Sequence, residues 1–523
     1  MLEYSQNIRD AKGEVVDDIK QNEPLEMDRF LPKVFFFLQI LLGICLSFWI
    51  IFNNTPMTGD DAEHIHSAWL VHQGKVPYID FFQHHNPLLW YLFAPLTGMF
   101  AYDLAIYDAV RMISACVMFI TLYMSALIVK RFISQNAYAL LITVASVFPS
   151  YVIYSGLDFR PDNYMLCCYI SGIYFYFSYL EKQKVRDLIL SFALMVLSFL
   201  FMQKIIFMLG VFGIFVLIDL YHKRIILNDF MKALIFPIGA VLLFFLWLLS
   251  HEMIAKYWLA NYIFNLHIPD VYWGLVEKTK PDFYIASSGA FISAIYFILK
   301  GNKYVRLICV LWGVEAIQRF FYFSLDRHYY YLMQILNGML IGAFVSRVVN
   351  KKTWISYIFI ALTFTESFLY VENVYAKKVT PPYHRYVTPK YVLEATNRCD
   401  SVLNGFGLTY NLFNKDITYY WNLNGQLDVI GNRIGLAPLP NLNRAVIENL
   451  PRIIYTDPYW DERQRKNNNY VMVHLIDPMI RDKYYEQSIF VGMFILKSKY
   501  QNMRRCRYDV KTDSWNYYYK ERP

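Results

Sequence analysis

The side chains best suited to chemistry lie in residues 58–95, TGDDAEHIHSAWLVHQGKVPYIDFFQHHNPLLWYLFAP, directly after the first long apolar run. Asp60 and Asp61 are adjacent, so one carboxylate can face a reaction centre while the other caps or orients. A partly desolvated carboxylate can take a proton from a hydroxyl or an amine. The alternative is that Asp60 or Asp61 is only the N-cap of a helix over AEHIHSAWLVHQG, which Gly74 would terminate.

Further ionisable side chains lie in later polar turns between apolar runs. Asp162 can supply a second carboxylate and Arg160 a cation. Positioned cations stabilise the charge that develops on a departing phosphate, so His85, Lys204 and Arg327 are candidates for clamping one. Any one of these side chains could instead only extend to the membrane interface. That alternative explains less well why so many ionisable side chains lie at the ends of the predicted helices.

The histidines of this stretch also allow a metal hypothesis. His64 and His66 are two residues apart, which directs them to different faces of a helix, and neither a cysteine ligand pattern nor HExxH accompanies them. Neutral, hydrogen-bonding histidines are the preferred interpretation. We therefore expect no cofactor, with metal binding as the less favoured alternative.

The composition indicates a polytopic membrane protein. The 523 residues are 56% hydrophobic and 18% aromatic, and their mean hydropathy is +0.26. The hydrophobic residues are gathered into long apolar runs. The net charge of +8 lies largely in short basic clusters between those runs. Such clusters are topology signals and suit anionic lipids, and the sequence has no recognition module for nucleic acid.

The positions of the basic clusters predict how the helices must be arranged to hold the site. Residues 88–101 are too short to cross and contain Pro95 and Gly98, which favours a re-entrant or interfacial segment. Arg29 and Lys33 precede the first span, which predicts a cytoplasmic N-terminus. With residues 88–101 outside, the clusters at 181–186, 222–224, 300–306 and 346–352 all become cytoplasmic as well. About eleven spans result, at 34–52, 112–129, 137–155, 162–180, 187–202, 205–221, 233–250, 285–299, 307–324, 330–346 and 353–371.

The predicted domains are a cytoplasmic tail (1–33), a transmembrane domain (34–371) with a first external loop (53–111), and an external soluble domain (372–523). The last is polar, and apolar runs at 470–476 and 488–496 predict strands of a small α/β or α+β domain. Its two cysteines, Cys399 and Cys506, could pair in an oxidising compartment.

The first external loop resembles that of bacterial membrane glycosyltransferases of the C superfamily, which includes protein O-mannosyltransferases and lipid A aminoarabinose transferases. Asp60 falls on the catalytic Asp of that family, and Asp61 replaces its Glu. The Gly-x-x-Pro-Tyr-x-Asp stretch and the closing Pro turn also match, at Gly74, Pro77, Tyr78, Asp80 and His84-His85-Asn86-Pro87. His85 stands where some relatives carry a phosphate-binding Lys. FRPDNYM, MQK and DRHYYYLMQIL are similar to the second carboxylate site and to positions near the donor phosphate, which implies roles for Asp162, Lys204, Arg327, His328 and Tyr329.

The resemblance implies inverting transfer of a sugar from a polyprenyl-phosphate donor to a lipid, glycan, polymer or protein acceptor, with Asp60 as base. It also implies residence in the inner (plasma) membrane. One alternative is a transporter or flippase for a lipid-linked glycan, which would bind without reacting. Clustering of charge at the outer helix ends and the lack of an internal repeat favour the enzyme. Another alternative is a non-catalytic assembly subunit that works through its C-terminal domain.

Overall fold

The chain is mostly helical, with a small mixed α/β region near its C-terminus. The computed structural model describes residues 26–54, 59–134, 138–148, 151–267, 281–321, 330–348, 387–404, 412–419, 441–455, 476–488, 493–501, 504–509 and 514–519, with single residues within 358–369 and residue 434. The helices α1 to α14 are Glu26–Trp49, Gly59–His72, Leu88–Met99, Ile106–Ile128, Tyr138–Ala145, Tyr151–Leu157, Pro161–Lys182, Val185–Phe201, Ile206–Tyr221, Leu227–Ser250, Ile254–Trp258, Pro281–Lys300, Lys303–Phe321 and Tyr331–Val348.

Four described helical segments are long and apolar enough to cross a membrane: Val34–Phe52, Ile106–Ser134, Gln203–Tyr221 and Leu227–Ser250. Most of the other predicted spans also coincide with helices, such as α7 with 162–180 and α9 with 205–221. The chain is thus a multi-pass membrane protein. The count of eleven spans stays a prediction, because residues 353–371 lie almost wholly outside the described part.

The short apolar segment after the first loop is helix α3, Leu88–Met99. Its 12 residues give a length of about 18 Å at 1.5 Å per residue, against roughly 30 Å of hydrocarbon. It packs on α2, Gly59–His72. A helix of this length agrees with the prediction that residues 88–101 do not cross.

The structure differs from the predicted helices at several places. The predicted span 137–155 is two helices, α5 and α6, and Pro149 stands between them in the sequence. Helix α4 begins at Ile106, before the predicted start at 112. Arg111, which we expected outside the span, is therefore inside the helix and buried.

The C-terminal part contains a four-stranded mixed sheet of order β1-β2-β4-β3. β1 is Val402–Asn404, β2 is Ile453–Tyr455, β3 is Tyr485–Gln487 and β4 is Met493–Leu496. β1 and β2 are parallel, and the other pairs are antiparallel. Helices α15 to α18 are Val387–Ala395, Leu442–Asn449, Pro478–Tyr484 and Ser498–Gln501, and a hairpin pairs β5, Arg504–Asp509, with β6, Ser514–Tyr519.

The structure tests one of the two predicted strands of this domain. β4 lies within the predicted strand 488–496, whereas 470–475 lie outside the described residues. Cys399 is disulfide-bonded. The side chain of Cys506 is outside the described part, so its pairing with Cys399 stays a prediction.

Candidate active site

Asp60 and Asp61 lie in the first turn of α2, where carboxylates interact favourably with the helix dipole. Because the helix begins at Gly59, both residues are inside it, and the alternative that one of them is only the N-cap does not hold. Gly74 does follow the end of the helix, with a φ of 76° that suits glycine. Neighbouring residues of a helix point in different directions, so the two carboxylates lie in different surroundings.

Asp61 is fully buried and is held by hydrogen bonds on both carboxylate oxygens. Oδ2 accepts from Nη2 and Nε of Arg111, at 2.6 and 3.1 Å. Oδ1 accepts from the backbone N–H of Phe159, at 2.6 Å. Asp158 is buried close by, and burial followed by the charge of Asp61 raises the pKa of Asp158 well above its usual value. This arrangement ties α2, α4 and the start of α7 together and leaves Asp61 no exposed surface.

Asp60 is the accessible member of the pair, with 36% of its side chain exposed. Its Oδ2 accepts from Nη1 of Arg160, which is itself buried. A carboxylate with one exposed side and one cationic partner can meet an acceptor from outside. The structure therefore separates the two neighbours into an accessible and a buried group.

Arg160 connects Asp60 to a second carboxylate. Its Nε lies 3.4 Å from Oδ2 of Asp162, and Oδ1 of Asp162 accepts from Nζ of Lys204. Arg160 is the N-cap of α7, Pro161 takes the first helical position, and Asp162 lies in the first turn. The result is an ion-pair chain, Asp60–Arg160–Asp162–Lys204, whose interior is buried and whose ends are 36% and 30% exposed.

His85 is buried beside this chain. Burial, followed by the charges of His84, His64, Arg160 and Lys204, lowers the pKa of His85 well below its usual value. The neutral ring can exchange hydrogen bonds with a phosphate but supplies no positive charge. It differs in this respect from the Lys that some relatives carry there.

The turn that carries His84 and His85 is fastened to the turn that carries Lys204. Gln203 Nε2 donates to the carbonyl of His84 at 2.8 Å, and the N–H of Asn86 donates to Gln203 Oε1 at 3.3 Å. Tyr257 Oη donates to Asn86 Oδ1 at 2.7 Å. These bonds set the position of Lys204 relative to the first loop.

Three of the predicted site residues, Arg327, His328 and Tyr329, lie outside the described residues. Tyr331, at the start of α14, donates from its hydroxyl to Asn163 Oδ1 at 3.1 Å. The start of α14 therefore contacts the residue that follows Asp162 in the sequence. The roles of Arg327, His328 and Tyr329 stay predictions.

The sequence interpretation did not place Arg111 and Asp158 beside Asp61. Arg111 carried a usable signal, since a charge within an apolar helix needs a partner. Asp158 carried none, because it belongs to a segment that already contains several polar residues.

Residues 412–419 of the C-terminal part pack on the first loop. His66 Nδ1 donates to the carbonyl of Leu412 at 2.9 Å. The N–H of Phe82 donates to the carbonyl of Tyr419 at 2.8 Å, and Tyr419 Oη donates to the carbonyl of Tyr78 at 2.8 Å. The C-terminal part therefore lies on the same side of the helices as the site.

Comparison with known proteins identifies a related family over part of the chain. Residues 84–251 match the model of the dolichyl-phosphate-mannose-protein mannosyltransferase family. No curated protein matches the chain. The matched region contains Asp162, Arg160, Lys204 and His85, whereas Asp60 precedes it.

Solved structures share the fold at low sequence identity. ArnT from Cupriavidus metallidurans in the apo state has a TM-score of 0.52 at 13% identity, covering 81% of this chain and 94% of ArnT. The same protein bound to undecaprenyl phosphate has a TM-score of 0.51 at 12% identity, covering 83% and 95%. Archaeal oligosaccharyltransferase AglB from Archaeoglobus fulgidus, in complex with an inhibitory peptide and a dolichol-phosphate, has a TM-score of 0.50 at 11% identity, covering 95% and 75%.

Such identities establish the fold alone. Together with the family match, they confirm the resemblance that the first loop carries. The chain shares its fold with ArnT and with the oligosaccharyltransferase AglB, and its residues 84–251 match the model of the dolichyl-phosphate-mannose-protein mannosyltransferase family.

Proposed function

We propose that this protein is an inverting membrane glycosyltransferase that moves a sugar from a polyprenyl-phosphate donor to an acceptor of the cell envelope. The observation that carries the proposal is the ion-pair chain, which has an accessible carboxylate at one end and an accessible ammonium group at the other. A base and a phosphate-binding cation are the two groups that this transfer requires. ArnT bound to undecaprenyl phosphate and AglB in complex with dolichol-phosphate have the same fold, which supports a donor of this class.

The proposed step begins with the acceptor hydroxyl or amine at the exposed side of Asp60. As Asp60 takes the proton, the acceptor atom forms a bond to the anomeric carbon from the face opposite the phosphate. The bond between that carbon and the phosphate oxygen breaks, and polyprenyl phosphate leaves with the electron pair. Lys204 stabilises the developing negative charge, with Arg160 holding Asp60 and Asp162 in place.

Asp61 and Arg111 serve as a positioning pair in this proposal. Both are buried, and their hydrogen bonds fix the first turn of α2 against α4 and the N–H of Phe159. The direction of the Asp60 carboxylate follows from that turn. We place the protein in the inner (plasma) membrane with the site on its outer face, where the C-terminal part also lies. The acceptor can be a lipid, glycan, polymer or protein.

The variant Asp60→Asn tests the base. It keeps the shape of the side chain but cannot take a proton, so we expect transfer to fall by roughly 10²- to 10⁴-fold. Cells that lack the protein would be complemented with wild type or variant, and envelope glycans would be compared by mass spectrometry. Undecaprenyl phosphate binding to the purified variant should stay close to that of wild type.

A matched control is Asp80→Asn in the same loop. Asp80 is also exposed, but its carboxylate pairs with Lys75 and accepts from the N–H of Val76, away from the ion-pair chain. This variant should transfer normally. Near-normal transfer by Asp60→Asn would refute its role as base. Purified protein that transfers sugar from a synthetic donor would exclude both a flippase and an assembly subunit.

A further inference from the structure

Glu63, His84 and His85 bring three potential metal ligands together in the first loop. One ligand atom of each residue lies within 4.8 Å of those of the other two. All three side chains are buried, and the imidazole rings of His84 and His85 are 4.0 Å apart between centroids. None of the three is part of the ion-pair chain that the transfer reaction uses.

The two histidine rings carry buried nitrogens that lack a partner. Among the described residues, no hydrogen-bonding group reaches Nδ1 of His84 or Nδ1 of His85. A buried polar atom without a partner costs free energy and is rare in native structures. A bound cation would use such lone pairs.

The backbone of this turn is held independently of the rings. The carbonyl of His84 accepts from Gln203 Nε2 and from Asn265 Nδ2, both at 2.8 Å. The carbonyl of His85 accepts from Tyr78 Oη. The rings therefore do not need hydrogen bonds of their own to keep the turn in place, and they are presented toward Glu63 by a rigid support.

The described residues around the site hold more carboxylates than cations: Asp60, Asp61, Glu63, Asp158 and Asp162 against Arg111, Arg160 and Lys204. A proton on Asp158, whose pKa is raised by burial, offsets one carboxylate. Arg160 and Lys204 act on His85 with positive charge, so a cation at this site needs the carboxylate of Glu63 as a ligand.

We propose that Glu63, His84 and His85 bind a divalent cation of the zinc class. One carboxylate and two imidazoles are ligands that Zn²⁺ uses in proteins, and three protein ligands leave a position of a tetrahedral ion for water or a substrate oxygen. The ion would join α2 to the 84–87 turn. This proposal does not rest on the transfer reaction, because binding is measured on the protein alone.

Cobalt provides a direct optical test. Full-length protein without a histidine tag would be stripped with a chelator and titrated with Co²⁺, whose visible absorption reports tetrahedral coordination. We expect saturation at one equivalent and loss of the band when Zn²⁺ is added. Glu63→Gln and His85→Gln should each weaken Co²⁺ binding at least about tenfold. His222→Gln, at an exposed histidine beyond α9, should leave binding unchanged.

Thermal unfolding provides the second readout. Zn²⁺ should raise the midpoint of wild type and of His222→Gln, since a ligand that binds only the folded state stabilises it, and should leave Glu63→Gln and His85→Gln unshifted. His84→Gln is the substitute if either variant fails to fold. Wild-type protein without a stoichiometric Co²⁺ band, or ligand variants that bind Co²⁺ as wild type does, would overturn the proposal. Neither result depends on whether the protein transfers sugar.

Discussion

Helix α7 has an ion-pair cluster at each end, and the two clusters differ in burial. Its 22 residues separate them by about 33 Å at 1.5 Å per residue. At the start, Arg111 pairs with Asp61, and their side chains are 2% and 0% exposed. At the end, Arg131 pairs with Glu181, and their side chains are 25% and 44% exposed. The first pair is desolvated, whereas the second remains in contact with solvent.

The two clusters also differ in the elements that they join. At the far end, Arg224 pairs with Asp219 only five residues away, and Tyr176 donates to the same carboxylate at 2.6 Å. At the site end, Asp60, Arg160 and Lys204 come from α2, the start of α7 and the turn after α8. Pairs at the far end join helix ends through partly exposed charges, while the chain at the site end has the buried side chains of Arg160 and Asp162 at its centre. Removal of a charge should therefore have unequal effects at the two ends.

Replacement of the buried cation gives the largest expected effect. Arg111→Met leaves Asp61 buried without its partner, so the free energy of unfolding should fall by about 3–5 kcal/mol. Arg131→Met breaks an exposed pair and should cost at most about 1 kcal/mol. Unfolding in detergent, followed by heat or denaturant, measures both. In the double variant Arg111→Met, Asp61→Leu, part of the loss should return; equal losses for the two single variants would remove the distinction between the ends.

The accessible cation should matter for ligand binding more than for stability. Lys204→Met removes a charge-assisted contact to phosphate, worth about 1.5–3 kcal/mol, so affinity for undecaprenyl phosphate should fall roughly 10- to 100-fold. Lys303→Met, at the far end and over the ring of Tyr304, is the matched control and should bind normally. The measurement is binding to purified protein in lipid nanodiscs. If the two variants bound alike, Lys204 would have no part in holding the donor phosphate.

A smaller effect is expected from pH at the contact between α2 and residues 412–419. Burial lowers the pKa of His66 to about 4, from 6.5. The folded state therefore binds fewer protons than the unfolded state between those two pH values. The contribution of His66 to the free energy of unfolding is complete above pH 6.5 and is lost as the pH falls toward 4. At pH 5 the loss should be about 2 kcal/mol at 1.36 kcal/mol per pKa unit.

Hydrogen exchange of residues 59–72 and 412–419 across this pH range would measure that loss. His66→Gln, which retains an N–H donor for the carbonyl of Leu412, should flatten the pH dependence. An unchanged profile in this variant would show that other groups titrate at the contact.

Local patterns were sufficient for much of the helical layout. The predicted spans 162–180 and 205–221 correspond to Pro161–Lys182 and Ile206–Tyr221. An apolar run bounded by charged residues indicates both the helix and its ends, because each is a property of neighbouring residues. The break within 137–155 was not predicted, although Pro149 was visible there.

The sequence by itself determined that Asp60, Asp61, Asp162 and Lys204 lie at helix ends on one predicted side, since span lengths and basic clusters decide which turns face outward. Only the tertiary structure decided the partners. It pairs Asp61 with Arg111, fifty residues away, and brings Glu63 to His84 and His85. These contacts depend on how α2, α3 and α4 pack and on which side chain each packing surface buries. Spacing along the chain carries no information about either, which is why neighbouring aspartates became one buried support and one accessible carboxylate.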